Sequence, residues 1–144
     1  MTSQRLVRRA ALLVVPALLG GCFGLDTGPA LQLQKSVAAV NEALPTTASA
    51  AGGTARVTVS GRIVGKLPCD LLDGDVQESS TEIRLILKLV ADQNHCAGRP
   101  PTTWSYVANI LELEAGTRTL IVEHRFQGVD GQAGIVLDTV LVVY

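Results

Sequence analysis

The chain has 144 residues, 47% of them hydrophobic, and its 12 basic residues are nearly balanced by 13 acidic ones. This length allows one domain at most. The charge balance argues against a nucleic-acid-binding protein, because the phosphate backbone demands a basic surface. The sequence also lacks a polybasic patch that could hold it on anionic lipid.

The first 21 residues have the pattern of a secretory signal peptide. Arg5, Arg8 and Arg9 precede an apolar run over residues 10–19, and two glycines precede Cys22. The run is shorter than the roughly 20 residues that a bilayer-spanning helix needs, so we expect cleavage rather than a membrane span. Removal of the three arginines leaves nine basic residues against 13 acidic ones, which makes the mature protein acidic.

The sequence at the cleavage site resembles the lipobox of bacterial lipoproteins, with LLGGC at residues 18–22. In that family the cysteine is lipidated and becomes the first residue of the mature protein, so the resemblance implies a lipid anchor on Cys22 in the cell envelope. Two acyl chains or more make such an anchor stable. Phe23 stands where an aspartate retains enterobacterial lipoproteins in the inner membrane, so the resemblance implies the outer membrane.

Residues 22–53 are predicted to carry the lipid and form a flexible tether. Pro29 and Pro45 interrupt the segment, and residues 46–54 are almost entirely Thr, Ala, Ser and Gly. That composition buries too little apolar surface to offset its ordering entropy. Apolar residues recur at helical spacing between Leu33 and Leu44, so a short helix over residues 31–44 is an alternative within the tether.

Residues 54–144 are predicted to form the folded domain, a small antiparallel β-sandwich. Five segments have the pattern of strands: apolar and polar residues alternate in the first four, more weakly in the third, and the fifth is rich in β-branched residues. These segments cover residues 54–63, 82–92, 104–113, 118–126 and 135–143. A further short edge strand is predicted near Val76, and Asp73 with Gly74 is one of several turn signals between the segments. Short strands without a strong helix between them favour an all-β sandwich or barrel.

Residues 111–122 are similar to a corner found in bacterial immunoglobulin-like and fibronectin-III-like domains. In that corner a leucine closes the end of the sandwich and a glycine turns the chain into the next strand. The match places Leu113 and Gly116 in these roles, whereas Thr117 and Arg118 stand where the family has a tyrosine. The resemblance implies an immunoglobulin-like sandwich.

One of the three cysteines is predicted to be lipidated and the other two to form a disulfide. With Cys22 lipidated, Cys69 and Cys96 remain as an even pair in an oxidising compartment, so we expect a disulfide between them. The alternative is a metal site with ligands from Cys69, Asp70, His95, Cys96 and His124. It is the weaker interpretation, because adjacent side chains on extended backbone point in opposite directions.

Two further groups of side chains are candidates for ligand binding. Asp70, Asp73 and Asp75 belong to an acidic loop over residues 70–82 and offer the oxygen ligands that calcium prefers, although their spacing differs from that of an EF-hand. Trp104 and Tyr106 are two residues apart and share a strand face on which a sugar or peptide could stack. The alternatives are a solvated acidic loop and a Trp104 side chain that fills the core or covers the edge of a sheet.

The sequence contains no nucleophile-elbow, phosphate-loop or zinc-protease motif and only two histidines. His124 shares a face with Leu120 and Val122, so it is predicted to lie at the edge of the core rather than to act as a base. We therefore expect no enzyme, no cofactor, no metal and no nucleic-acid partner. The leading hypothesis is an envelope lipoprotein that binds or scaffolds a partner protein, and the alternative is a calcium- or small-ligand-binding module.

Overall fold

A computed structural model describes residues 28–37, 46–68, 70–91, 101–127 and 133–144. Two four-stranded sheets pack against each other, which confirms the predicted all-β sandwich. The eight strands are β1 (Ala30–Val37), β2 (Thr47–Gly53), β3 (Arg56–Pro68), β4 (Asp70–Glu78), β5 (Glu82–Ala91), β6 (Pro101–Leu111), β7 (Gly116–Gln127) and β8 (Ala133–Val143). None of the described residues belongs to a helix long and apolar enough to cross a membrane.

Each sheet takes strands from both halves of the chain. Sheet A has the strand order β1-β6-β3-β2, and sheet B has the order β4-β5-β7-β8. Neighbouring strands are antiparallel except for β5 and β7, which are parallel. The wholly antiparallel arrangement expected from the sequence is therefore wrong at this one pair. The chain crosses to sheet A through β6 between β5 and β7, and such a crossover permits parallel pairing.

The core lies between the two sheets and is filled by alternate residues of each strand. In β5, for example, Ile83, Leu85 and Leu87 are fully buried and point inward. Burying one such side chain contributes about 1.5–3 kcal/mol. At the corner between β6 and β7, Leu113 is also buried in this core, and Gly116 starts β7 with φ of 149°.

Residues 30–37 of the predicted tether form a strand of the sandwich. The predicted helix is wrong over residues 31–37, because these residues belong to β1, and its remaining positions lie outside the described residues. Leu31 and Leu33 pack against the core while Gln32 and Gln34 face outward, and β1 gains a complete ladder from β6. Pairing with β6 therefore makes this segment a strand, although its apolar residues also fit a helical spacing.

The last part of the predicted tether is also a strand, although its sequence is Thr-Ala-Ser-Ala-Ala-Gly-Gly. β2 pairs along its whole length with β3, and Ala48 and Ala50 pack against the core. Its small residues permit a close approach to β8: a Cβ atom at Gly52 would collide with the carbonyl oxygen of Val142. The small side chains of this segment, which indicated a linker, are what the close contact between β2 and β8 requires.

The predicted acidic loop is mostly strand. β4 runs through Asp73 and Gly74, where a turn was expected, and pairs with β5 along its whole length. Gly74 admits the tips of Leu31 and Leu33 from sheet A, since a Cβ atom there would lie 3.2 Å from the Cδ2 atom of each. The glycine therefore serves packing between the sheets rather than a change of direction.

One corner of the sandwich is closed by hydrogen bonds between the sheets. The Ala55 N–H donates to the Tyr144 carbonyl at 2.9 Å, and the Tyr144 N–H donates to the Gly53 carbonyl at 3.1 Å. The turn between β2 and β3 therefore covers the end of β8. This contact satisfies backbone groups that an edge strand would otherwise leave open.

Candidate functional site

The three cysteines lie outside the described residues, as does His95. Lipidation of Cys22 and the disulfide between Cys69 and Cys96 therefore stay predictions. The described residues do place the other candidates, which are the aromatic pair, the three aspartates and His124.

Trp104 and Tyr106 share the inner face of β6, so they do not form an exposed ligand face. Tyr106 is 3% exposed, and Trp104 is half-buried against the core. The Trp104 Nε1–H donates to the Asp70 carbonyl oxygen at 2.9 Å. Trp104 thus follows the alternative considered for it, in which it packs on the core and covers the edge of a sheet, and Tyr106 is a core residue.

Two side chains of sheet A cap the edge strand β4 of sheet B. Trp104 donates to the Asp70 carbonyl, and the Lys35 Nζ donates to the Leu72 carbonyl at 2.6 Å. An edge strand presents unpaired carbonyls to other chains, and capping them discourages edge-to-edge pairing. Trp104 and Lys35 therefore protect this edge and join the two sheets.

We expect the Trp104→Phe variant to lose about 1–2 kcal/mol of unfolding free energy, because the carbonyl of the buried residue Asp70 loses the indole donor. Urea unfolding followed by circular dichroism measures this loss. Lys35→Met is the matched comparison: Lys35 is exposed, water can replace it, and its loss should cost less. An equal cost for the two variants would contradict the role assigned to Trp104.

A hydrogen bond across the core joins the two sheets. Tyr106 Oη lies 3.0 Å from His124 Nε2, and the rings meet edge to face with centroids 5.8 Å apart. His124 is 1% exposed, so it lies inside the core and not at the edge that the sequence suggested. Its place on the apolar face with Leu120 and Val122 is confirmed.

The His124 tautomer follows from a count of unsatisfied groups. Nδ1 is buried and has no hydrogen-bond partner among the described residues. If the Tyr106 hydroxyl donates to Nε2, only the Nδ1–H lacks a partner; if Nε2 donates instead, both Nδ1 and the hydroxyl hydrogen lack one. Buried polar groups without partners are costly, so we assign the proton to Nδ1.

Burial keeps this pair in its neutral form. Desolvation lowers the pKa of His124 from 6.5 to about 4 and raises the pKa of Tyr106 far above its usual range. A neutral, buried imidazole hydrogen-bonded to a buried phenol joins the sheets. It is not positioned to exchange protons with a substrate at the surface.

The structure does not bring the three aspartates together. Asp70 points into the sandwich and is 3% exposed, whereas Asp73 and Asp75 lie on the outer face of β4. Alternation along a strand separates them, so the candidate calcium ligands cannot converge on one ion. Asp75 instead lies 3.8 Å from the Lys88 ammonium on β5. No cluster of three metal-ligating side chains occurs among the described residues.

The outer face of sheet B carries an ion-pair network that the sequence analysis did not identify. Glu123 on β7 accepts hydrogen bonds from Arg125 at 2.6 Å and from Arg84 at 3.4 Å. The hydrogen bond from Arg125 is the main reason why the pKa of Glu123 is lowered. The signal for this network is the charge alternation in β5 and β7, but using it requires knowing that the two strands are neighbours.

Sheet A and sheet B differ in the sign of their charge. The four strands of sheet A contain no Asp or Glu, whereas those of sheet B contain seven. The basic residues of sheet A are Lys35, Arg56, Arg62 and Lys66. The charge balance of the whole chain conceals this separation, which becomes visible only when the strands are assigned to sheets.

The outer face of sheet A is a regular array of small polar side chains. Neighbouring strands place Thr47 beside Arg62, Arg62 beside Ser105, and Ser105 beside Ser36 in one row. An open groove of about 420 Å³ runs over this part of the sheet. Among the residues that the structure describes, neither Arg56 nor Arg62 has a hydrogen-bond or ion-pair partner. This face therefore offers hydroxyl groups and free guanidinium groups to a ligand.

Comparison with known proteins gives no relative from which a site could be transferred. No protein-family profile, curated protein or solved structure matches the chain.

Proposed function

We propose that this chain is a lipid-anchored envelope protein with a non-catalytic binding or scaffolding role, and that it contacts its partner through the outer face of sheet A. The observation that carries the binding surface is the charge separation between the sheets. Sheet A has no carboxylate in its strands, and Arg56 and Arg62 have no partner within the described part of the chain. Charge complementarity favours a partner with negative groups at its contact surface.

The cellular location of the protein is proposed from the sequence. The signal pattern and the lipobox support a lipid on Cys22, and Phe23 supports the outer membrane. A disulfide between Cys69 and Cys96 and an immunoglobulin-like arrangement of the sandwich belong to the same proposal. The lipid supplies membrane attachment, so the polar face of sheet A is left for a partner.

The placement of the titratable side chains supports a binding role over a catalytic one. His124 and Tyr106 are enclosed between the sheets, and Glu123 is held by two arginines. The alternative of a calcium or small-ligand module depended on the aspartates and on the aromatic pair, and neither group forms an exposed site. The array on sheet A remains as an exposed polar surface whose arginines have no partner among the described residues.

Site-specific photo-crosslinking in intact cells tests the binding surface. A photoreactive side chain at Ser60, exposed on the outer face of sheet A, is compared with one at Gln77, exposed on the outer face of sheet B. We expect a discrete adduct from position 60 alone, because among the described strands the unpaired arginines belong to sheet A. The adduct should be lost in Arg62→Glu and retained in Lys88→Glu, a matched charge reversal on sheet B.

Fractionation of the same cells tests the anchor. Cys22→Ser removes the lipidated thiol, so the protein should leave the membrane fraction while its unfolding curve stays unchanged. A Cys22→Ser protein that remains in the membrane fraction would contradict the anchor. Identical adducts from positions 60 and 77 would contradict the binding surface.

A further inference from the structure

One end of the sandwich receives the chain from the lipidated cysteine. Ala30 at the start of β1 pairs with Leu111, and Leu111 pairs with Arg56. Arg56 pairs with Gly53, whose carbonyl accepts the hydrogen bond from Tyr144. The start of β1 and the end of β8 therefore lie at the same end, which we call the near end.

The segment that connects the near end to Cys22 is short. Only eight residue steps separate Cys22 from Ala30, which span roughly 29 Å at full extension. The 11 residues of β8 span about 36 Å along the sandwich. If the lipid on Cys22 sits in the bilayer, the near end stays within roughly 29 Å of the surface, so the sandwich cannot stand upright on its opposite end.

The near end carries a row of exposed apolar side chains. Val140 and Val142 lie on the outer face of β8 and Tyr144 directly follows the strand; they are 66%, 46% and 70% exposed. An exposed apolar row marks an interaction surface. Tyrosine in particular favours the boundary between membrane and water, where its ring meets the acyl region and its hydroxyl stays hydrated.

The charges around this row favour contact with lipid that is not strongly anionic. Glu112 and Glu114 are exposed in the corner between β6 and β7, and Arg56 is exposed beside them. Glu114 lies 3.4 Å from the Arg118 guanidinium. The near end is thus not a basic patch, and apolar contact rather than attraction to anionic lipid would hold it.

We propose that, once Cys22 is lipidated, the row of Val140, Val142 and Tyr144 docks on the surface of the bilayer that holds the lipid. The proposal rests on the lipid anchor proposed above. It brings the near end of β8 to the membrane, with the strand tilted away from the bilayer toward Ile135, and it leaves the outer face of sheet A accessible on the other side of the sandwich.

Fluorescence quenching by brominated lipids tests this docking on the natively lipidated, mature chain in phosphatidylcholine vesicles. Tyr144→Trp places a reporter at the near end. Ile135→Trp is the matched control, because Ile135 is on the outer face of the same strand, is 60% exposed and lies at the opposite end. Trp104 also lies toward the opposite end, and the signal of the parent chain is subtracted.

We expect brominated lipid to quench the tryptophan of Tyr144→Trp several-fold more than that of Ile135→Trp, with a blue shift of its emission. Lipidated chain with equal or no quenching of the two variants would overturn the docking and leave the anchor intact. Quenching absent together with a doubled particle mass in detergent would assign the row to a second copy and also overturn the proposal. An unmodified Cys22 in the mass spectrum would instead contradict the anchor itself.

Discussion

The Gly61→Ala variant is expected to lose about 3 kcal/mol of unfolding free energy, because position 61 has no space for a methyl group. A Cβ atom there would lie 2.5 Å from Tyr106 Oη and would also collide with the carbonyl oxygen of Thr47. The phenol would have to move, and its hydrogen bond to His124 would be strained or lost. Chemical denaturation at pH 7 measures the effect.

Gly134→Ala is the matched control for this substitution. It adds the same methyl group to a strand glycine with nothing within 4 Å of the new atom. Its unfolding free energy should stay unchanged or rise slightly, since alanine restricts the unfolded chain more than glycine does. Equal losses in the two variants would mean that Tyr106 does not pack against position 61.

The unfolding free energy is expected to fall by about 2 kcal/mol between pH 7 and pH 5, and by about 3 kcal/mol by pH 4, because of His124. Its pKa is lowered from 6.5 to about 4 by burial, so in this range the unfolded chain binds a proton that the folded chain does not. Stability is therefore complete above pH 6.5 and is lost as the pH falls toward 4. Glu123, whose pKa is lowered, adds to the loss only below its ordinary value of 4.5.

Comparing the two histidines separates this effect from general acid sensitivity. His124→Gln keeps an acceptor for the Tyr106 hydroxyl but removes the titrating group, so the slope between pH 7 and pH 5 should flatten. His95→Gln removes the other histidine of the chain and should retain the slope. A slope that survives in His124→Gln would overturn the assignment.

Period-two patterning predicted the strands that carry most of the core. β3, β5, β6 and β7 each contain a segment in which apolar residues alternate with polar ones, and burial in the structure follows that alternation, whereas β8 was predicted from its β-branched residues. The pattern works because one face of each strand must be apolar while the other meets water. It does not determine which strands are neighbours, so the parallel pairing of β5 with β7 could not be predicted.

The two missed strands failed for different physical reasons. In β1 the residues Leu33 and Val37 fit a helical period as well as Leu31 and Leu33 fit a strand, and only the partner β6 decides between them. In β2 the small residues have little preference for strands. They are selected there by the proximity of β8, a contact between residues distant in sequence.

Whether the predicted ligand sites exist depends on which face of the sheet each side chain lies on. The sequence correctly placed Trp104 and Tyr106 on one face of a strand, but nothing in the sequence said that this face is the inner one. The same alternation separates Asp70 from Asp73 and Asp75, which an assumed loop had allowed to converge. The array on sheet A was missed because it combines residues from four strands, and its lack of carboxylates is apparent only after the sheet is assembled.

The pairing of β1 with β6 has a consequence for how the chain folds as it is made. β2 with β3, β4 with β5, and β7 with β8 are joined by short connections and can form hairpins as soon as both strands exist. β1 has no such neighbour, because its partner β6 is complete only at residue 111. The hydrogen bonds that join the β2–β3 turn to the end of β8 need residue 144. Closing such long loops slows folding. During export β1 therefore stays unpaired at both edges. We expect the sandwich to close only after β8 has emerged.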